Sequence, residues 1–231
     1  MPYLPIQSTT RAFFNSVTSK DLAVASTPTN SLAIMLINIL TDFTNTVTSV
    51  TDDKGNTYVV VGPLDKPDTR NYVAYGVHAV GGVTTITVNF SGSASVGYIG
   101  ADLFSGAYST NAATIDVSTT EQSVGSSNYS NLTSPLVPTV NENLIYLCLL
   151  SGDDRIMTAG TGFTGYMGDG LSYSLHGQYK LSGTTSESCP ASLNGTTQWN
   201  VFAFSFKPAP PVPPIGKITK PNQAINRASN Y

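Results

Sequence analysis

Two pairs of adjacent carboxylates are the first residues that could do chemistry: Asp52–Asp53 in "VTDDKGN" and Asp153–Asp154 in "LLSGDDR". Two carboxyls cleave a glycosidic bond when one donates a proton while the other attacks or activates water. That work needs them to face each other across about 5–9 Å. Neighbours in a turn do not face each other, so both pairs read as solvated turn residues unless another loop supplies the opposing group. Calcium would use the same oxygens, but "DDKGN" lacks the closing bidentate glutamate of a calcium loop. His78 in "YGVHAV" and His176 in "YSLHGQY" lie inside strand-like runs. There each reads as a hydrogen-bonding group on a sheet face, not as a base. No G-x-S-x-G elbow presents a nucleophile, and no glycine-rich phosphate cradle precedes a helix. A dispersed Ser/His/Asp triad would leave no local trace. The expectation is a protein that is not an enzyme and carries no cofactor and no metal.

The sequence holds two cysteines, Cys148 in "NLIYLCLL" and Cys189 in "SESCPAS". They read as one buried thiol and one loop thiol, unpaired. The alternative is a disulfide staple, which a core of this size does not need. Two sulfurs, with two histidines at no ligand spacing, do not build a structural zinc site. Tyr98, Tyr108, Tyr129, Tyr166, Tyr173 and Tyr179 fall in or near loops and strand ends. Such rings serve either as platforms for stacking a sugar or as anchors in a protein contact. "NYS", "NLT", "NFS" and "NGT" match the glycosylation sequon, as a chain rich in Asn, Ser and Thr does by chance.

The elements that would position these groups are strands. "TTITVNF" sets Ile86, Val88 and Phe90 against Thr85, Thr87 and Asn89, the period-two pattern of a half-buried strand. Similar runs recur between clusters of Gly, Asn, Asp, Ser and Pro, which predicts an all-β sandwich or barrel. Hairpins are expected at "VTSVTDDKGNTYVVV", with Gly55 in the turn, and at "AVGGVTTITVNF", with Gly81 and Gly82 at the tip. "LAIMLINIL" and "NLIYLCLL" are apolar on both faces. Each must be a central strand covered twice, the second cover being a loop, a short helix or another subunit.

Charged residues make up 11% of the 231 residues and the net charge is −3. Globular domains average about 25% charged. A surface this neutral suits close packing against copies or neighbours better than electrostatic steering. No basic cluster offers a groove for nucleic acid. The longest apolar run, "SLAIMLINIL", is half of what a bilayer span requires. No basic and apolar leader opens the chain. A soluble protein without a membrane partner is expected.

The order of the pieces carries a resemblance. "NSLAIMLINI", "VTSVTDDKGNTY", "AVGGVTTITVNFSG" and "IGADLFSG" follow one another as in a β-sandwich module common in phage virion proteins and bacterial surface proteins. "VPTVNENLIYLCLLSG", "HGQYKLSGTTSES" and "WNVFAFSFKP" resemble its later strands. The match covers roughly Thr9 to Pro208. It implies an antiparallel two-sheet sandwich, jelly-roll-like or immunoglobulin-like, with a structural or adhesive role and no catalytic residues to carry over. The expected layout is an N-terminal extension over residues 1–8, a sandwich over 9–207 and an extended arm over 208–231.

The arm lies outside the resemblance. "PAPPVPP" favours an extended polyproline rod. The remaining "IGKITKPNQAINRASNY" has too few large apolar groups to form a core. One reading is a disordered tail or a linker cut from a longer protein. The other is a docking arm: prolines reduce the entropy lost on ordering, and isolated side chains fill separate pockets. The residues expected to make those contacts are Pro208, Pro211, Pro214, Ile215, Ile218, Ile225, Arg227 and Tyr231. Under the resemblance, the partners are copies of the chain and other virion proteins. The location is a virion assembled in the host cytoplasm, as capsid decoration or as part of a tail or fibre. The alternative is a carbohydrate-binding or adhesin module with a glycan partner.

Overall fold

The computed structural model describes residues 3–40, 44–165, 173–182 and 185–210. Two antiparallel sheets dominate. The first contains β1 (Leu4–Ala23), β2 (Ser31–Leu40), β3 (Val47–Asp52), β4 (Tyr58–Lys66), β5 (Thr69–His78) and β6 (Thr85–Ser105). Its order is β1-β6-β2-β5-β4, with β3 also on β6. The second contains β7 (Ile115–Gln122), β8 (Asn143–Arg155), β10 (Thr164–Gly165), β11 (Tyr173–Ser182) and β13 (Trp199–Phe206), in the order β10-β11-β8-β13-β7. β9 (Met157–Ala159) and β12 (Ala191–Leu193) pair with each other. α1 (Asn111–Thr114) is a single turn capped by the Thr110 hydroxyl. The all-β sandwich expected from period-two patterning is what the chain forms. Among the described residues no helix is long and apolar enough to cross a membrane.

Alternation explains the layers. On β2, Leu32, Ile34 and Leu36 enter the core between the sheets. They meet Val73 and Val77 of β5, Tyr146, Cys148 and Leu150 of β8, and Phe202, Phe204 and Phe206 of β13. Tyr75 stands edge-on to Phe204 and Phe206 at 5.8 and 5.4 Å, a favoured quadrupole geometry.

Ala33, Met35, Ile37 and Ile39 point the other way, into a second core. That core exists because the first sheet folds over itself. The first part of β6 pairs with the end of β1 and with β3, while its last ten residues pair with the start of β1 and with β2. Ile86, Val88 and Phe90 of the first part, with Leu22 of β1 and Val50 of β3, close over the far face of β2. A bulge between Val17 and Ser19 of β1 lies between its two ladder segments, where added local twist is expected.

β8 is treated differently. Its outer residues Ile145, Leu147 and Leu149 are covered by Tyr129, Leu132, Leu136, Met157 and Cys189, which come from loops and a short strand, and by Trp199 at the start of β13. Both doubly apolar strands are thus covered twice by their own chain, so neither needs another subunit.

Three local expectations are revised. The "DDKGN" turn forms, with Gly55 at φ 77°, but β3 and β4 are not a hairpin: β3 pairs with β6 and β4 with β5. Nor do β5 and β6 pair across Gly81–Gly82; Gly82 N donates instead to Thr27 O at 2.6 Å. Turn residues fix where the chain reverses, whereas burial of the flanking faces decides which strand each arm meets. Finally, β1 begins at Leu4 and Tyr3 is buried. Residues 4–8, expected as an extension, are strand, because β6 runs long enough to pair with them.

Candidate functional site

The root of the C-terminal arm is built from both sheets. β13 ends at Phe206. Beyond it, Lys207 N donates to Thr114 O of α1 at 2.6 Å, and Ala209 N donates to Gly106 O at 2.8 Å. Pro208 forms an antiparallel bridge with Ala107. Gly106 and Ala107 continue β6, and Ala107 N donates to Asn30 O at 3.0 Å. A strand of the second sheet therefore ends by adding two residues to the first. Tyr3 locks the crossing: its ring is 2% exposed and its hydroxyl donates to Lys207 O at 2.7 Å. Burial holds that phenol far above its ordinary pKa, with Tyr108 adding to the shift. It stays a neutral donor at any ordinary pH.

Of the arm residues expected to make contacts, Pro208 is the one that lies within the described residues, and it holds the arm to its own body. Pro211, Pro214, Ile215, Ile218, Ile225, Arg227 and Tyr231 lie outside them. Sequence reasoning missed Tyr3 and the Gly106–Ala107 pair. The available signal was a lone aromatic between two prolines in "MPYLP", in a segment with no other reason to carry one.

Two of the groups that could have done chemistry, Asp52 and His78, are packed into the fold. Asp52, expected in solvent, has a fully buried side chain. Its Oδ1 accepts from Lys54 N at 2.8 Å and Asn56 N at 3.1 Å; its Oδ2 accepts from Asn56 Nδ2 at 3.0 Å and the Tyr58 hydroxyl at 3.2 Å. His78 is also buried. Its Nε2 lies 2.7 Å from the Tyr58 hydroxyl, and its Nδ1 lies 2.9 Å from Thr27 Oγ1 and 3.3 Å from Ser31 Oγ. Both ring nitrogens are engaged inside the protein, so no substrate atom reaches them. Asp53 is the solvated member of its pair. Its carboxylate accepts from the Thr84 hydroxyl at 2.8 Å and Thr84 N at 3.1 Å, which lowers its pKa to about 2.

Burial lowers the His78 pKa, and Asp52 offsets only part of that shift. An unfolded histidine titrates near 6.5. Below that pH the unfolded chain binds a proton that the folded chain refuses, so stability falls as pH drops from about 6.5 through the lowered folded value. Urea midpoints measured between pH 7.5 and 5 should fall in the wild type and fall less in His78→Gln. Equal slopes would remove His78 as the cause.

Asp153 is an exposed partner of Arg155, 3.3 Å away, and accepts from Thr197 Oγ1 at 3.3 Å. With Lys66, Asp68, Gly152 and Gln198 it lines an open cleft of about 70 Å³, room for about two waters. Among the described residues no three His, Cys, Asp or Glu side chains cluster as a metal site would require. Cys148 and Cys189 are free, as expected, and the loop thiol Cys189 is buried as well. Burial raises both thiols, that of Cys189 to about 12.

No protein-family model, curated protein or solved structure matches this chain.

The aromatics divide unevenly. Trp199 is 9% exposed and stands edge-on to Tyr129 at 5.1 Å, and the Tyr129 hydroxyl donates to Cys189 O at 2.8 Å. Tyr179 packs its ring against Phe104 at 5.2 Å. Tyr98 and Tyr108 are half-buried; Tyr166 and the Tyr173 side chain lie outside the described residues. Phe13 is the exposed large aromatic among the described residues, at 51%, beside Tyr98.

Proposed function

We propose that this protein is a structural protein of a phage particle that acts by assembly. Its β-sandwich body packs as capsid decoration or as part of a tail or fibre, and its C-terminal arm ties it to adjacent subunits. One observation carries the reading: the arm's root is fastened to both sheets. Lys207 closes the end of β13, Ala209 adds to the row beyond β6, and Tyr3 bolts the crossing from the other terminus. A pull on the arm is thus shared by two sheets and by the core between them, where Tyr3 and Ala107 are buried. A linker that merely led elsewhere would need no such anchorage. The virion assignment itself comes from the sequence resemblance.

The carbohydrate-binding alternative is served less well. Trp199 and Tyr129, the rings best suited to a sugar, are buried against each other.

The test is truncation after Pro210, which keeps the root. The truncated body should melt within a degree or two of the full chain and should fail to enter particles when it replaces the full chain during phage growth. Normal incorporation refutes the arm's role. Saturable binding of the body to a glycan array, with no particle phenotype, would transfer the case to the sugar-binding reading.

A further inference from the structure

Resting on the assembly reading, we propose that the arm of one copy is received by the free edge of β1 in a second copy. Residues Ile215–Lys220 ("IGKITK") add there as a strand. The receiving stretch is Thr10–Asn15.

The sheet edges are not equivalent. β4 is guarded by Pro63, by a break in register between Val61 and Leu64, and by Asp65 and Lys66, devices that deter pairing. β7 is roofed by its neighbouring loop: Glu121 accepts from Thr133 N and Ser134 N, and Asp116 accepts from Thr139 N. β10 is two residues long. β1 has twenty residues, pairs with β6 on one side, and has no strand on the other among the described residues. Its register breaks fall before Thr10 and after Val17, so Thr10–Asn15 runs unbroken opposite Ala101–Val96. That stretch carries no proline and one charge, Arg11, whose guanidinium turns inward to donate to Leu175 O at 3.0 Å. Phe13 is left 51% exposed there. An unbroken edge stretch without proline, its one charge turned inward, invites an added strand.

The occupant is the chain's own 211–231 segment, delivered by a neighbour. Ala209 already pairs with Gly106, and the next position in that row, opposite Ser105, is filled by Leu4. The arm cannot continue along its own row. Pro210, Pro211, Pro213 and Pro214 lack the N–H that a ladder beside the head of its own β1 would need. Six residues in polyproline geometry would span about 20 Å, enough reach for Ile215 to leave its own root. The six residues from Ile215 to Lys220 are the first run of the arm without proline, matching the six of Thr10–Asn15.

The experiment uses full-length chains. One carries Ile218→Cys, the other Phe13→Cys and a mass tag. The native thiols are buried, so mild oxidation reports the new ones. A Val59→Cys chain gives the same chemistry on β4. The expected result is a mixed disulfide with position 13 and none with position 59. A product at 59 equal to that at 13 overturns β1 as the receiver but leaves the tether reading intact, because the arm still reaches a second copy. A disulfide formed only within a doubly substituted chain overturns delivery by a neighbour. No product between chains at Ile218→Cys defeats both readings. As a second measurement, Phe13→Lys places a charge on the edge at an exposed position. Loss of the oligomer by native mass spectrometry at an unchanged melting temperature is expected, and an intact oligomer overturns the proposal.

Discussion

Asp52→Ala is expected to lower stability by about 3 kcal/mol, because it leaves several buried donors without an acceptor. The carboxylate serves four donors from three residues, Lys54, Asn56 and Tyr58, and lies 3.9 Å from His78 Nε2. Removing it opens the "DDKGN" turn, leaves Lys54 N, Asn56 N and one Asn56 amide hydrogen without their acceptor, and leaves the Tyr58 hydroxyl with His78 alone. Asn56 is itself a bridge: its Nδ2 donates to Val80 O at 3.0 Å, and its Oδ1 accepts from Val80 N at 2.9 Å. The loss therefore spreads to the Val80–Gly82 connection, which leads into β6. Asp52→Asn keeps the oxygen facing Lys54 N and Asn56 N, so it should cost clearly less. Asp53→Ala, at the exposed member of the pair, should cost clearly less than Asp52→Ala. For a chain of this size the Asp52→Ala loss corresponds to a drop of about 6–12 °C in Tm. Equal effects of the Asp52 and Asp53 changes would show that the burial of Asp52 does not matter.

The contrast between these neighbours marks the limit of what the sequence displayed. Strand positions and the two-sided greasiness of β2 and β8 were legible, because alternation is a local signal and every residue reports on its own face. That two covers were needed was legible for the same reason. Their identity was not. The cover of β2 is a distant part of its own sheet, brought back by the length of β6, and no local pattern encodes how a sheet folds over. Asp52 and Asp53 are the same residue type in the same turn. Only the return of Tyr58, Asn56 and His78 to one place decides which of them is buried.

The arm shows the reverse case. Its proline run and its lack of core residues were plain in the sequence, yet its first contact, Pro208 with Ala107, is an internal one. Two residues assigned to the arm turn out to complete the body. Main-chain bonds made this clamp, and main-chain bonds leave almost no trace in residue type. Tyr3 does leave one, since a buried hydroxyl requires an acceptor, but nothing local identifies Lys207 O as that acceptor.

Gly177→Ala is expected to cost about 3–4 kcal/mol, and the cost should run through a single hydrogen bond. Gly177 sits on β11 opposite Cys148 of β8 and faces the core between the sheets. A methyl group there would overlap the Tyr146 hydroxyl and lie 2.8 Å from Asp102 Oδ2. Tyr146 and Asp102 are both fully buried, and the phenol donates to the carboxyl. The ring cannot swing far, because it packs edge-on against Phe104 at 5.9 Å. The added carbon must therefore push the hydroxyl off the carboxyl or spread the sheets. Tyr146→Phe removes the severest of the three overlaps, leaving the ring carbon at 2.9 Å and Asp102 Oδ2 at 2.8 Å for small shifts to relieve. The two changes should be strongly non-additive: Gly177→Ala in the Tyr146→Phe background should cost less than half of its cost in the wild type, as expected for residues in direct contact. Denaturant midpoints of the four proteins decide it. If the two losses simply add, the glycine is required for strand geometry and the Tyr146–Asp102 bond is not its reason.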